Sequence, residues 1–461
     1  MDDLLLAFYG DDFTGSTDVT EVLTLNGVPS VLMTDARELA SARERFPAAR
    51  VIGLAGVSRS MTLEQMDASL PPLFEALRDL GARFLHYKIC STFDSAPDLG
   101  SIGHAIDLGV GICGGEVVPM IVGAPNLKRY QVFGNLFARG GDETFRLDRH
   151  PTMSCHPATP MNESDLRLHL ALQTTKRIDL VDLLTIERGR EHAAARFDEL
   201  VRTGTEVILL DVLNETHLKT VGDLVWSQAG ERVRFSAASS GLEYALVAHW
   251  RAAGMLPPPP PRIDLGPADR IAVVSGSAAP ATASQIDWAE AHGFAVAPLD
   301  APALVDPATA CAAREAAVAD AVRHLDAGRS VVLYSVRGPG DPALQATRER
   351  LRSLGVDPRS VGERLATQQG KIMRALIERA GLRRVCVAGG DTCGHALSQL
   401  GIYALEVLCP VAPGSPICRS HAHEPDFDGL EISLKAGQVG LPSYFGFVRE
   451  GREPAGRGPA G

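Results

Sequence analysis

The run Leu4-Leu5-Leu6-Ala7-Phe8-Tyr9, followed at once by Gly10-Asp11-Asp12-Phe13-Thr14-Gly15-Ser16, decides how this chain is read. Six apolar residues of strand length give way to a Gly-flanked turn bearing two carboxylates, and a helical stretch starts near Thr14. In α/β proteins, loops at the carboxyl ends of parallel strands present chemistry to ligands. The turn is therefore read as one edge of an active site, with Asp11 and Asp12 as its acids. The plainer reading is that one of them only caps the helix that follows, since Asp is a strong N-cap.

Working outward, residues 51–55, 83–87, 117–122 and 206–210 read as further strands, with helix-length segments between several of them. The pattern resumes at 270–274, 295–299, 330–335 and 384–388. Between the two series stand five consecutive prolines, Pro257 to Pro261, which fit neither a helix nor a central strand. The expected fold class is α/β: two domains with largely parallel sheets flanked by helices, and an active site in the interdomain cleft. The expected divisions are a first domain over 1–255, a Pro-rich linker over 256–268, a second domain over 269–448 and a flexible tail over 449–461. Residues 124–165 show poor periodicity and read as a long irregular insertion of the kind that serves as a lid or interface arm. No internal repeat is evident.

Composition narrows the function. A chain of 461 residues, 45% hydrophobic and 22% charged, has the balance of a globular protein with sizeable cores. A formal net charge of -11, with no long Lys/Arg cluster, argues against nucleic acid or an anionic membrane surface as partner. Aromatic residues are only 5% and are not interleaved with basic ones, as single-stranded nucleic acids would require. No export leader precedes Leu4 and no run approaches the ~20 apolar residues of a membrane span, so a cytoplasmic location is expected. Eight cysteines without a C-x-x-C pair read as reduced, packed thiols. His421-Ala422-His423-Glu424 and the group His150, Cys155 and His156 are weak as metal motifs, and no protein metal site is assigned.

The second series of strands carries glycine loops. Gly389-Gly390-Asp391-Thr392-Cys393-Gly394 follows a strand and opens a helix near Thr392, and Ser275-Gly276-Ser277 does the same before a helical stretch through Thr282 to Trp288. Glycines let backbone N–H groups approach a polyanion, and a helix start adds partial positive charge. Either loop alone also reads as an ordinary tight turn. The Pro/Gly turn around Gly414, and Lys435 beside Gly437, complete the set; Lys435 is a candidate to neutralise a phosphate. Neither G-x-G-x-x-G nor G-x-x-x-x-G-K-[ST] occurs at these sites.

Taken in order, Gly10 to Gly15, Ser58-Arg59, Lys88 with Ser91-Thr92, Ser239 to Leu242, Ser275 to Ser277 with Thr282 and Gln285, Gly389 to Gly394, Ala412 to Pro416 and Lys435 to Gly440 resemble the four-carbon acid sugar kinases over nearly the whole chain. The resemblance implies an amino-terminal domain that binds a sugar acid, a carboxyl-terminal domain that binds ATP, and transfer of the γ-phosphate to a terminal hydroxyl with Mg²⁺. It puts Arg59, Lys88, Ser91 and Thr92 at the substrate and Ser275, Gly276, Ser277, Gly389, Gly390, Asp391, Thr392, Gly394, Gly414, Lys435 and Gly437 at the nucleotide. His156 is a candidate substrate-specific contact. The sequence Lys88-Ile89-Cys90-Ser91-Thr92-Phe93-Asp94-Ser95 departs from the family's usual Asp-Ser-Thr-Leu-Arg-Gly by lacking an acid and an arginine, and Gly56-Val57 replaces an acid before Ser58-Arg59. The reaction is expected to be retained and the acceptor altered, with tetronates, 3-oxo-tetronates and 3-oxo-isoapionate as candidates.

In residue terms, one of Asp11 and Asp12 receives the hydroxyl proton, with Asp12 slightly favoured, while Arg59 and Lys88 meet the substrate carboxylate. The competing classes are a nicotinamide-dependent sugar-acid dehydrogenase, which the missing dinucleotide fingerprint disfavours, and a noncatalytic sugar-acid sensor. The partners expected are a small sugar acid and ATP, with a homodimer expected on general frequency alone.

Overall fold

A computed structural model of the chain describes residues 4–454 apart from 116, 157, 229–232, 358 and 359. It divides into two compact units, Met1–Pro260 and Pro261–Gly461. In the first, β1 (Leu6–Gly10), β2 (Ser30–Met33), β3 (Val51–Ala55) and β4 (Phe84–Lys88) form a parallel sheet with a later strand at Arg234–Ala238. Leu6, Ala7 and Phe8 are fully buried, which explains the unbroken apolar run: a parallel strand covered on both faces has no solvent side to mark with polar residues.

The rest of this unit holds β5 (Val118–Met120), β6 (Arg129–Val132), β7 (Asn135–Gly140), β8 (Glu143–Arg146), β9 (Ile178–Val181), β10 (Val207–Leu210) and β11 (Arg234–Ala238). The main sheet runs β11-β4-β1-β3-β2 and a second parallel sheet runs β5-β10-β9. Ser236 and Ser239 hydroxyls donate to the Pro119 and Val122 carbonyls at 2.8 and 2.7 Å, which fastens β11 to β5.

Residues 124–165 are not the irregular insertion expected: they carry the antiparallel meander β6-β7-β8. These strands are short and at most partly buried, so no long apolar run announces them. The meander is anchored by Asp211, a fully buried carboxylate at the end of β10 that accepts from the backbone N–H groups of Phe133, Gly134 and Leu183.

The second unit contains β12 (Ala272–Ser275), β13 (Ala295–Pro298), β14 (Val331–Tyr334), β15 (Arg384–Ala388), β16 (Ile402–Ala412), β17 (Ser415–Ala422) and β18 (Glu431–Lys435). Their order is β16-β17-β18-β15-β12-β14-β13; β18 through β13 are parallel, while β16-β17-β18 are antiparallel. Ile271, Val273, Ile286, Phe294 and Phe445 pack the core beside it. The linker expected over 256–268 is tied down at its far end, where Leu265 and Ala268 donate backbone hydrogen bonds to Gly451 and Arg449. Of the flexible tail expected over 449–461, Arg449 and Glu450 instead finish the helix Tyr444–Glu450, closed by Gly451 at φ 69°; residues 455–461 lie outside the described residues. Among the described residues no helix is long and apolar enough to cross a membrane.

Candidate active site

In the first unit the chain leaves β1 towards β2 and β3 on one side and returns to β4 on the other, so the loops after β1 and β4 part and leave a crevice at the strands' carboxyl ends. The sequence lines that crevice with acids. Gly10 stands in register with both Ala55 and Lys88, the Asp11 N–H donates to the Lys88 carbonyl at 2.9 Å, and the Arg59 N–H donates to the Asp11 carbonyl at 3.0 Å. Three loops are thereby fixed to one another through their backbones.

The side chains continue the linkage. Arg59 grips Asp11 with two hydrogen bonds, Nε to Oδ2 at 3.1 Å and Nη2 to Oδ1 at 2.7 Å, and Nη2 also reaches Asp12 Oδ1 at 2.8 Å. Asp12 is the N-cap of the helix Phe13–Leu25, accepting from Gly15 N–H at 2.9 Å and from the Thr14 hydroxyl at 2.6 Å. Capping leaves Asp12 reachable, because its side chain is 24% exposed whereas that of Asp11 is 3% exposed. A Cβ on Gly15 would stand 2.4 Å from Asp12 Oδ1 and 2.9 Å from Lys88 Nζ, so only glycine leaves room for acid and amine beside the helix start.

Burial pushes the Asp11 carboxyl up, with Arg59 opposing it. Burial acts on Asp12 as well, but Arg59, Lys88 and the bonds from Thr14 and Gly15 outweigh it and hold that carboxyl below its ordinary value. Between its two acids the Arg59 guanidinium stays charged. Asp18, one turn along the helix and unremarked in the sequence, is raised by burial and also faces Lys88. Burial lifts the Cys90 thiol to about 11, which makes it a packed group rather than a nucleophile. Thr92 spends its hydroxyl on Cys90 Sγ at 2.9 Å, and Ser91 is half-buried on the same turn. His156 is held by the Thr159 N–H and hydroxyl at 3.1 and 3.0 Å, and among its described contacts none joins it to Asp11, Asp12, Arg59 or Lys88.

The second unit repeats the arrangement, with a cavity of about 270 Å³ where the loops after β12 and β15 part. Gly276, Ser277, Gly389, Gly390, Thr392 and Gly437 line it, joined by Gln369 and Arg348, which the sequence reading passed over. A Cβ on Gly276 would come within 2.3 Å of Thr392 Oγ1, and Gly389 sits at φ 127°, so the backbone forms the wall itself. The helix Gly390–Leu400 starts at this wall, two residues earlier than expected. Gly394 lies inside that helix and Gly414 in the β16–β17 turn at φ 70°, both off the cavity wall. The Asp391 side chain lies outside what is described. Ser275 is fully buried and its carbonyl accepts from Gln369 Nε2 at 2.8 Å.

Lys435 is buried and directs its amine to Thr282 Oγ1 at 3.0 Å and to the Ala436 and Gly437 carbonyls at 2.8 and 3.2 Å, with burial lowering its pKa to about 8. It braces the glycine loop from behind. Gln369 was discoverable: it lies among Ala366, Gly370 and Met373 on the buried face of the helix Val361–Ala380, where an amide is out of pattern. Its Oε1 is buried without a hydrogen-bond partner among the described residues, an acceptor left over at the cavity. A glycine-built wall at a helix start suits a polyphosphate. Among the described residues no cluster of three or more His, Cys, Asp or Glu forms a metal site and no carboxylate lines this cavity, so Mg²⁺ here would be held mainly through phosphate oxygens and water.

A carboxylate-rich crevice in one α/β unit and a glycine-walled cavity in the other define a protein that pairs a sugar-binding amino-terminal domain with a nucleotide-binding carboxyl-terminal domain, and residues 6–246 and 272–445 match families so described. The chain belongs to the four-carbon acid sugar kinase family. It is 49% identical over 449 residues to the 3-oxo-isoapionate kinase of Paraburkholderia graminis, covering 97% of this chain and 95% of that one. It is 31% identical over 456 residues to the 3-oxo-tetronate kinase of Methylobacterium radiotolerans, covering 96% and 98%. A solved Salmonella typhimurium protein described as a tRNA synthase shares the fold at TM-score 0.74 and 23% identity, covering 97% of this chain and 98% of that one.

Proposed function

We propose that this protein is an ATP-dependent sugar-acid kinase that phosphorylates a terminal hydroxyl of a four-carbon or closely related 3-oxo acid. Among the candidate acceptors, 3-oxo-isoapionate is favoured by the 49% identity to a kinase named for it. The observation that carries the chemistry is Asp12: an accessible carboxylate kept ionised by Arg59 and Lys88, at a crevice built from three backbone-linked loops.

Asp12 orients the acceptor hydroxyl and takes its proton as the new O–P bond forms and the bridging bond to the γ-phosphorus breaks. A carboxylate of low basicity serves because phosphoryl transfer passes through a loose transition state, in which positioning counts for more than early proton removal. Asp11, buried under Arg59, holds the guanidinium in place. Bound ATP with Mg²⁺ supplies the activated phosphoryl group and neutralises its charge. Gly276, Gly389, Gly390 and Gly437 offer backbone N–H groups to the phosphates, while Ser275 and Lys435 support those loops from behind.

The test is ADP release with Mg²⁺ across tetronates, 3-oxo-tetronates and 3-oxo-isoapionate. Turnover with 3-oxo-isoapionate exceeding that with 3-oxo-tetronate is expected; absence of turnover with every acid would refute the kinase reading.

A further inference from the structure

A site for a sugar acid needs a cation for the carboxylate, and the two nominated from sequence are already engaged. Arg59 spends its Nε and Nη2 on Asp11 and Asp12. Lys88 is buried, donates to the Ile89 carbonyl at 2.9 Å, and faces Asp11, Asp12 and Asp18. Three acids thus surround two bases, which leaves no surplus positive charge for an anionic substrate.

One further arginine stands at this end of the sheet. Arg129 opens β6 just past β5, whose neighbour β11 pairs in turn with β4. Its backbone is clamped to Ala124 by hydrogen bonds in both directions, at 2.9 and 3.2 Å. Its side chain is held at one corner only, Nη1 donating to the Leu127 and Lys128 carbonyls at 3.2 Å. Nε is buried with no acceptor, and among the described residues no carboxylate lies within ion-pair distance. Nε and Nη2 together form the guanidinium edge that receives a carboxylate through two parallel hydrogen bonds. The groups within electrostatic reach are Cys90, Asp94 and Tyr130, and Cys90 is the same thiol that faces Arg59. Burial outweighs the attraction of Asp94, which lies beyond ion-pair distance, so this guanidinium is costly as it stands and a directly bound anion would relieve that cost.

We infer that Arg129 is the residue of this chain that binds the carboxylate of the acceptor acid, through its unpartnered Nε/Nη2 edge at the carboxyl end of the β4-β11-β5 strands. The inference deepens the kinase reading and rests on it. Because Arg129 enters on the meander, acid recognition is supplied by the inserted segment rather than by the strand loops that carry Asp11, Asp12 and Lys88.

The experiment compares wild type, Arg129→Met and Arg129→Lys on the acid that wild type turns over fastest and on the methyl ester of that acid. With Arg129→Met, kcat/KM for the acid should fall about 10- to 100-fold, the loss expected for a charge-assisted bidentate pair. Activity on the ester should change little, so the preference for acid over ester collapses, and KM for ATP should stay put. Arg129→Lys restores charge without the fork and should recover only part of the preference. A purely structural role would depress acid and ester alike. Wild-type turnover with an unchanged acid-to-ester ratio in both variants overturns the inference alone, whereas no wild-type turnover of any sugar acid overturns it together with the kinase reading.

Discussion

Asp12 caps a helix and is proposed as the base, and substitution can separate the two roles. Asparagine caps a helix about as well as aspartate, so Asp12→Asn should keep the start of Phe13–Leu25 while deleting the base. The expected result is a fall in kcat of about 10²- to 10⁴-fold with thermal unfolding little changed, read by ADP release and calorimetry. Arg59 is a different case, since Arg59→Met strands two acids, one of them almost fully enclosed. About 3 kcal/mol of unfolding free energy should be lost, the low end of the range for breaking a buried pair because the guanidinium is 24% exposed. Denaturant titration measures it. For Lys435 the folded pKa of about 8 lies below that of the unfolded chain, so between about pH 8 and 10.4 the unfolded state holds a proton that the folded state has released. Over that window wild-type stability should rise relative to Lys435→Met, by at most about 1.4 kcal/mol per pH unit, and should run parallel to it below pH 8.

At the scale of elements, sequence legibility followed apolar runs more than burial itself. β1, β3, β12, β14 and β15 were readable because strands buried on both faces are written largely in apolar residues, whereas β2 and β11, buried as deeply, were passed over. β6 to β8 are short, mix polar with apolar residues and are at most half-covered, and β16 contains Pro410, a residue that counts against a central strand. The acids of the first crevice were legible from their Gly-flanked turn, yet pairing of Arg59 with both of them was not, because 47 and 48 residues separate the partners in sequence. Arg129 was invisible for the same reason: its environment is assembled by tertiary contacts. Glycine placement gives a prediction at this scale. A methyl on Gly276 would collide with Thr392 Oγ1 at 2.3 Å and Gln369 Oε1 at 2.8 Å, so Gly276→Ala should raise KM for ATP about tenfold or more while leaving affinity for the sugar acid intact.

Across the whole molecule, both units use the same strand order. β4-β1-β3-β2 in the first corresponds to β15-β12-β14-β13 in the second, and in each the crevice opens where the chain reverses its direction of travel across the sheet. No repeat is visible in the sequence, because shared topology asks only for buried apolar runs and turns, not for matching residues. Two crevices of equal architecture should respond to two ligands separately. Hydrogen exchange with ATP should slow at the loops after β12 and β15, and with the sugar acid at the loops after β1 and β4; protection of the same loops by either ligand would contradict the division.

The three backbone N–H groups gathered by Asp211 have one more consequence. Two of them, on Phe133 and Gly134, lie in the meander beside a side-chain bond from Gln131 Nε2, so residues 124–165 can change identity while their mooring persists provided Gln131 and the left-handed turn at Phe133-Gly134 are kept. On the Arg129 inference, appetite for one acid over another would travel with this segment as a cassette, for as long as the socket at position 211 keeps its aspartate.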